Sequence, residues 1–155
     1  IGRTISIMRA VVQRTTGASV EVEQQIVGEI GRGLVVFLGI EEGDTEADLN
    51  YICGKVTGLR VFDDENEIPN RSVQDIGGSV LLISQFTLCA DARKGKRPSY
   101  IKAARPEQAI PLYESAIAKI GQSVPVQCGV FQANMQVRLV NDGPHTILLD
   151  SKKLF

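Results

Sequence analysis

The run Val80-Leu81-Leu82-Ile83 constrains the fold of this chain more than any other stretch of its sequence. Four aliphatic residues in succession after Gly77-Gly78 predict a strand buried on both faces, because a half-exposed strand would alternate apolar and polar residues. The polar stretch Ser84-Gln85-Phe86-Thr87-Leu88 follows at once, and α/β proteins usually place their chemistry at the carboxyl end of such a strand. The alternative is that Ser84 and Thr87 only satisfy backbone groups where the strand ends.

Most of the remaining chain has strand-like patterns. Short apolar alternations or apolar runs occupy residues 9–14, 19–23, 25–30, 34–38, 124–128, 135–140 and 146–149. Residues 60–62 are typical of a strand end, and the polar residues 63–66 predict a turn. Seven or more strands are therefore expected.

Two segments have the spacing of helices. Asp44 and Thr45 can cap a helix whose apolar face repeats at intervals of three and four residues, at Leu49, Ile52, Cys53, Val56 and Leu59. Pro106 suits the first turn of a second helix, which we expect to end at Gly121. Two helices against many strands indicate a layered α/β arrangement in a single domain.

Composition agrees with one compact domain. The chain has 155 residues and is 43% hydrophobic, enough for a full core without covalent staples. Cys53, Cys89 and Cys128 form neither an even disulfide set nor a Cys-x-x-Cys pair, which makes a disulfide framework or structural zinc improbable. With no long apolar stretch and no signal-peptide pattern, we expect a cytoplasmic protein without a membrane segment.

The net charge of −1 does not suggest a nucleic-acid partner, but the basic residues are clustered. No acid lies between Asp91 and Glu107, and that interval holds six cations, Arg93, Lys94, Lys96, Arg97, Lys102 and Arg105. A local phosphate-binding patch is one interpretation. A solvated loop that leads into the second helix is the other, and Tyr100 could either stack on a base or cover that helix.

The chain has little conventional catalytic apparatus. His145 is the only histidine, so a Ser-His or Cys-His mechanism would have to use it, and no Gly-x-Ser-x-Gly elbow surrounds Ser84. One histidine and scattered acids also offer no recognisable metal-ligand spacing. We therefore expect neither a metal nor a cofactor.

Three separated motifs in order resemble the D-aminoacyl-tRNA deacylase family. They are residues 84–88, the basic residues 93–99 and Val140-Asn141-Asp142-Gly143-Pro144-His145-Thr146. The resemblance runs from Met8 to Leu149, so we expect one deacylase domain over residues 8–155. Residues 1–7 are expected to be an expression remnant or an N-terminal extension.

The resemblance implies a three-layer β/β/α sandwich and a homodimer with active sites at the subunit interface. It implies hydrolysis of the ester that joins a D-amino acid to the 3′ end of tRNA, and by extension of glycine from a non-cognate tRNA. In the family the Gly-Pro bond, here Gly143-Pro144, is cis and enters the other subunit's site, where it excludes L-amino acids. The segment Arg93, Lys94, Lys96 and Arg97 would bind the tRNA.

The same resemblance implies the site at Ser84, Gln85, Phe86 and Thr87. In one view Thr87 is the nucleophile, and in another the 2′-hydroxyl of the tRNA drives the reaction while the protein positions the substrate. We favour the second view, because a threonine hydroxyl needs a base and none but His145 is evident. An amide near Phe86 or Thr87 would stabilise the oxyanion.

The chain departs from the family pattern at a few positions. Gln132 replaces a glycine, which would narrow the pocket mouth or require another backbone angle, and Asn134 stands where an acid or methionine is typical. His145 replaces valine and Cys89 replaces tyrosine. Phe131 and Met135 are expected to line or support the pocket.

Two other functional classes remain open from the sequence. One is a non-catalytic RNA-binding dimer that keeps the fold and the basic segment. The other is a conventional esterase that uses Ser84 or Cys89 with His145.

Overall fold

The computed structural model of the protein describes residues 6–143 and 145–155. Its strands are β1 (Arg9–Thr15), β2 (Ala18–Val22), β3 (Gln25–Ile30), β4 (Gly33–Gly39), β5 (Phe62–Asp63), β6 (Pro69–Arg71), β7 (Ser79–Ser84), β8 (Val126–Cys128), β9 (Gln136–Leu139) and β10 (Thr146–Asp150). The helices are α1 (Glu46–Gly58) and α2 (Pro106–Gly121), and a short 3₁₀ segment spans Phe86–Cys89.

A five-stranded sheet forms the middle layer. Its strand order is β10-β1-β4-β7-β8, in which β4, β7 and β8 are parallel and β1 and β10 are antiparallel to their neighbours. A second sheet, β3-β2-β9, covers one face, and β5 pairs with β6 in a small hairpin. The predicted three-layer β/β/α sandwich is confirmed.

The two faces of β7 explain why its sequence is continuously apolar. Val80 and Leu82 belong to the core shared with α1 and α2, whereas Leu81 and Ile83 belong to the core shared with the second sheet. All four side chains are buried. A strand between two layers has no solvent face, so the alternation of a half-exposed strand is lost.

Both helices begin and end close to their predicted positions. At the start of α1, the Asp48 carboxylate accepts a hydrogen bond from the amide of Thr45 at 2.9 Å. Asp44 caps the preceding turn, because its Oδ2 accepts from the amide of Glu41 at 2.7 Å. Burial raises the pKa of Asp44 to about 6. No helix of the described residues has the length and apolar character needed to cross a bilayer.

Candidate active site

A cavity of about 490 Å³ opens at the carboxyl end of β7. Its walls come from the end of β7 and the start of the 3₁₀ segment, from the approach to α2, and from the loop before β9. The lining residues are Ile83, Ser84, Gln85, Phe86, Ala103, Ala104, Pro106, Phe131, Gln132, Ala133, Asn134, Met135 and Val137. None of these side chains is ionisable, so the cavity is neutral and mostly apolar.

The chain leaves β7 in a fixed direction. The amide of Gln85 donates to the carbonyl of Leu38 in β4 at 2.8 Å, which prolongs the β4–β7 pairing by one bond. The side-chain amide of Gln85 donates to the hydroxyl of Thr87 at 2.6 Å. Thr87 itself does not line the cavity. A nucleophilic hydroxyl needs a base to remove its proton, but the group beside the Thr87 hydroxyl is a hydrogen-bond donor.

Two backbone amides at this turn have no acceptor in the part of the protein that the structure describes. Phe86 and Thr87 begin the 3₁₀ segment, and the first amides of a helical turn lack partners within it. Within residues 6–143 and 145–155 neither amide donates a hydrogen bond to another group. The ring of Phe86 is 56% exposed and meets that of Tyr100 edge to face, with 5.4 Å between ring centroids.

Gly39, at the end of β4, lets the 3₁₀ segment lie against the sheet. A Cβ on this residue would stand 2.8 Å from the Cβ of Leu88 and 3.1 Å from the carbonyl oxygen of Gln85. Glycine is therefore needed for close approach. The sequence offered no signal for this role, because the contact joins segments almost fifty residues apart.

Gln132 adopts a left-handed backbone conformation at the cavity wall, with φ of 66°. Glycine adopts this conformation without a steric cost, whereas glutamine does not. The sequence analysis expected Gln132 either to narrow the pocket mouth or to require another backbone angle. The structure shows a backbone angle that is typical of glycine. The glutamine also contributes to the cavity lining.

Cys89 and His145 are not arranged as a nucleophile and its base. The thiol of Cys89 is buried, lies 3.5 Å from the carbonyl oxygen of Ile40, and has its pKa raised by burial to about 12. His145 lies near the opposite end of β1 and β4, where its carbonyl accepts from the amide of Arg14 at 3.1 Å.

Gly143 is also remote from the cavity of its own chain. Arg14, beside this loop, pairs with Leu34 in β4, and Leu34 pairs with Val80 in β7. Ser84 is four residues further along β7, about 13 Å away along the strand. Pro144 and the predicted cis bond lie outside the described residues.

Arg14 holds the loop that contains Gly143. The sequence did not predict this role of Arg14. Its buried guanidinium donates to the carbonyls of Asp142 at 3.0 Å, Gly143 at 3.2 Å and Val61 at 2.8 Å. Its Nε also lies 3.3 Å from the Asp142 carboxylate. Because a buried charge is costly without partners, this side chain keeps the Gly143 carbonyl in one place.

Gln13 completes the support of the loop. Its side-chain amide donates to the Asn141 side chain at 2.9 Å and to the His145 carbonyl at 3.2 Å, and it accepts from the hydroxyl of Thr146. The only sign of this support in the sequence was the polar pair Gln13-Arg14 at the end of an apolar strand. Its partners could not be deduced from spacing.

The predicted tRNA-binding residues lie on an exposed hairpin. Asp91 and Ser99 close it with two backbone hydrogen bonds of 2.8 and 2.9 Å. Arg93 is occupied by the Asp91 carboxylate, at 2.9 and 2.7 Å. Lys94, Lys96 and Arg97 are exposed and, among the described residues, have no carboxylate within ion-pair distance.

No three histidine, cysteine, aspartate or glutamate side chains within the described part of the chain are grouped so that they could hold a metal ion.

Comparison with known proteins gives a consistent result. The sequence model of the family described as D-Tyr-tRNA(Tyr) deacylase matches residues 11–150. D-aminoacyl-tRNA deacylases of Desulfitobacterium hafniense (strain Y51) and Koribacter versatilis (strain Ellin345) are each 58% identical over 149 residues, which cover 96% of this chain and 100% of those proteins.

Two solved structures share the fold. One, titled c-Myc DNA Unwinding Element Binding Protein, has a TM-score of 0.86 and 41% identity, and the match covers 91% of this chain and 97% of that one. The other is titled as a probable eukaryotic D-amino acid tRNA deacylase, with a TM-score of 0.78 over 93% of this chain and 99% of the other. At 16% identity that likeness shows the fold alone.

Proposed function

The chain belongs to the D-Tyr-tRNA(Tyr) deacylase family and is a D-aminoacyl-tRNA deacylase, and from this premise we propose how its site works. The cavity at the end of β7 binds the aminoacylated 3′ end of tRNA. It releases D-amino acids, and glycine from a non-cognate tRNA, while L-amino acids stay attached. The protein thereby proofreads the chirality of amino acids before translation, and we place this activity in the cytoplasm.

The observation that carries the proposal is a neutral cavity lined by Phe86, at a turn where the amides of Phe86 and Thr87 have no acceptor within the described residues. Water adds to the ester carbonyl, the tetrahedral oxyanion accepts hydrogen bonds from the amides of Phe86 and Thr87, and the ribose oxygen leaves with a proton. One oxyanion donor contributes about 10²- to 10³-fold to the rate. Because an aminoacyl ester is already activated, orientation and oxyanion stabilisation suffice without a protein nucleophile.

The terminal 2′-hydroxyl of the tRNA takes the role of proton carrier in this mechanism. Thr87 receives its hydrogen bond from Gln85, and a carboxamide is not a base. No ionisable side chain lines the cavity in the described part of the chain, so no general base activates Ser84 or Thr87. The protein therefore positions the substrate, and the substrate supplies the acid-base group.

Selectivity comes from Gly143-Pro144 of a second subunit. Arg14 and Gln13 hold the loop rigidly, yet the cavity of the same chain is at the other end of β7, so the loop needs another copy to act on. A rigid carbonyl facing the α-carbon leaves room for hydrogen and not for an L side chain. Every 1.4 kcal/mol of clash contributes about tenfold discrimination.

The middle sheet supports a homodimer. The three-stranded sheet packs on β4 and β7, and neither Val11 of β1 nor Leu148 of β10 belongs to the core that it forms within the described residues. Leu148 is 54% exposed there, and its strand partner Val11 is half-buried. A self-complementary patch on this face would bring the loop of each copy toward the cavity of the other.

The direct test is hydrolysis of matched D- and L-tyrosyl-tRNA by the purified protein. Cleavage of the D ester alone would support chiral proofreading. Cleavage of both would indicate a general esterase or a loosened filter, and cleavage of neither would favour the RNA-binding module. Glycyl-tRNA in the same assay tests the wider substrate range.

A further inference from the structure

A second cavity, of about 330 Å³, lies next to the candidate active site. It contains the basic side chains of Arg9, Arg93 and Lys102 and the acidic side chains of Glu41 and Asp91. The chain joins the two cavities twice, once through the 3₁₀ segment and once at residues 102–103, since Lys102 lines the second cavity and Ala103 the first. At this point the two cavities are one residue apart along the chain.

Two of the three cations have no ion-pair partner in the described residues. Asp91 is taken up by Arg93, whereas neither Arg9 nor Lys102 has a carboxylate within 4.0 Å among the described residues. Arg9 uses one of its donors on the Leu88 carbonyl, at 3.2 Å, and the Lys102 ammonium makes no hydrogen bond in the described part of the chain. A guanidinium and an ammonium thus face one cleft with donors to spare.

The remaining acid in the cavity is buried and pairs with neither cation among the described residues. Glu41 is 4% exposed, and its burial raises the pKa of its carboxyl, although Arg9 and Lys102 act in the opposite direction. The lining holds three basic side chains, Arg9, Arg93 and Lys102, against two acidic ones, Glu41 and Asp91. Even with both carboxylates ionised, the cleft has an excess of positive charge over a small volume.

We propose that this second cavity is a phosphate subsite, in which Arg9 and Lys102 bind an internucleotide phosphate of the single-stranded acceptor end of the aminoacyl-tRNA. The inference rests on the proposed function of the first cavity. A guanidinium fork matches two phosphate oxygens, and an ammonium adds a point charge. Because Ala103 and Ala104 line the cavity for the aminoacyl group, a phosphate held by Lys102 belongs to a nucleotide close to the ester.

The test compares a substrate with phosphates and one without. Wild type, Lys102→Gln and Lys102→Arg are assayed on D-tyrosyl-tRNA and on the D-tyrosyl ester of adenosine, over a series of KCl concentrations. Lys102 is exposed, so these substitutions leave the core intact. For the tRNA substrate, Lys102→Gln should raise KM about tenfold with little change in kcat, as expected for a lost charge-assisted contact.

The salt dependence gives a second readout. The slope of log(kcat/KM) against log[KCl] should become shallower by about 0.7, the value for one phosphate contact on a single strand. For the adenosine ester, which has no phosphate, KM and the salt slope should be the same in Lys102→Gln and wild type. Lys102→Arg should restore the wild-type KM for the tRNA substrate. Lys55→Gln is the matched control, since Lys55 is exposed on α1 away from both cavities and also lacks a carboxylate within 4.0 Å among the residues described.

An unchanged KM and salt slope in Lys102→Gln would overturn the subsite, and so would an equal loss on both substrates, which would assign Lys102 to the ester itself. Inhibition of adenosine-ester cleavage by inorganic phosphate, lost in Lys102→Gln, would show that the cavity takes free phosphate instead of RNA. If the wild type cleaves neither ester, the proposed function fails separately. The affinity for uncharged tRNA then tests the subsite separately. Weaker binding by Lys102→Gln than by wild type would support it, and equal binding would contradict it.

Discussion

At the scale of single residues, His145 distinguishes positioned-water chemistry from a conventional esterase. Its backbone carbonyl accepts hydrogen bonds from Arg14 and Gln13, and alanine keeps that carbonyl. We therefore expect His145→Ala to cleave D-tyrosyl-tRNA within about threefold of the wild-type rate and to keep sparing the L ester, as measured by kcat/KM on both. An esterase that used the imidazole would lose about 10⁴-fold or more.

Gln132 is a second residue whose conformation makes a quantitative prediction. Replacing it with glycine removes a left-handed non-glycine residue and should raise the free energy of unfolding by about 0.5 to 1 kcal/mol, as measured by urea titration. Glu67→Gly is the matched control, because Glu67 has φ of 61° in a turn remote from the cavity. We expect Glu67→Gly to stabilise the protein without changing KM for D-tyrosyl-tRNA. A loss of stability in both variants would contradict the argument from backbone angle.

At the scale of elements, the contact between the end of β4 and the 3₁₀ segment determines where the free amides lie. A Cβ at Gly39 collides with Leu88 and crowds Gln85, so Gly39→Ala must push the 3₁₀ segment outward. A displacement of about 1 Å in a catalytic group lowers the rate by about 10²-fold. We expect kcat for D-tyrosyl-tRNA to fall by this order, with the protein still folded by circular dichroism.

Gly31→Ala is the control for this substitution, since a Cβ at Gly31 meets no described atom within 4 Å and its φ is not left-handed. It should retain wild-type kcat. Full activity in Gly39→Ala would show that the 3₁₀ segment is not needed in its observed position.

The start of α1 makes the fold sensitive to pH. The pKa of Asp44 rises from its usual 3.8 to about 6 because the carboxyl is buried, and its Oδ1 has no hydrogen-bond partner within the described residues. The folded state therefore holds a proton that the unfolded state releases. This contribution to stability is complete below about pH 4 and is lost as pH rises through about 6.

Asp44→Asn should remove that pH dependence. The asparagine oxygen can still accept from the amide of Glu41, and no charge is buried. We expect the variant to be more stable than wild type at pH 8, by about 1 to 2 kcal/mol, and to differ little at pH 4.5. Thermal unfolding across this range measures both. A variant that is destabilised equally at every pH would indicate a structural role for the second carboxylate oxygen.

At the scale of the whole molecule, local patterns predicted the layers but not the relation between distant parts of the site. The continuous apolar run of β7 and the three- and four-residue spacing of α1 report burial directly, so sheet and helices could be located. The Arg14 clamp on Gly143 depends on a contact between residues 129 positions apart, for which spacing contains no information. The approach to α2, which walls the cavity, is equally non-local.

In the proposed dimer, the site is completed only when the loop of one chain meets the cavity of another. Gly143 and Ser84 belong to opposite ends of β4 and β7, so a variant with a blocked loop and a variant with a damaged cavity should complement each other. Gly143→Leu is the variant with the blocked loop, because Gly143 is exposed in its own chain and, in the proposed dimer, leucine would enter the cavity of the partner. Gly39→Ala is the variant with the damaged cavity.

Each variant alone should be nearly inactive on D-tyrosyl-tRNA. After subunit exchange, about half of the dimers are mixed, and each mixed dimer contains one cavity with an intact Gly39 that receives an intact Gly143. The mixture should recover about a quarter of wild-type activity, whereas the same variants mixed without exchange should recover none. A site built within a single chain predicts no recovery under either condition, so the rate of the exchanged mixture decides between the two arrangements.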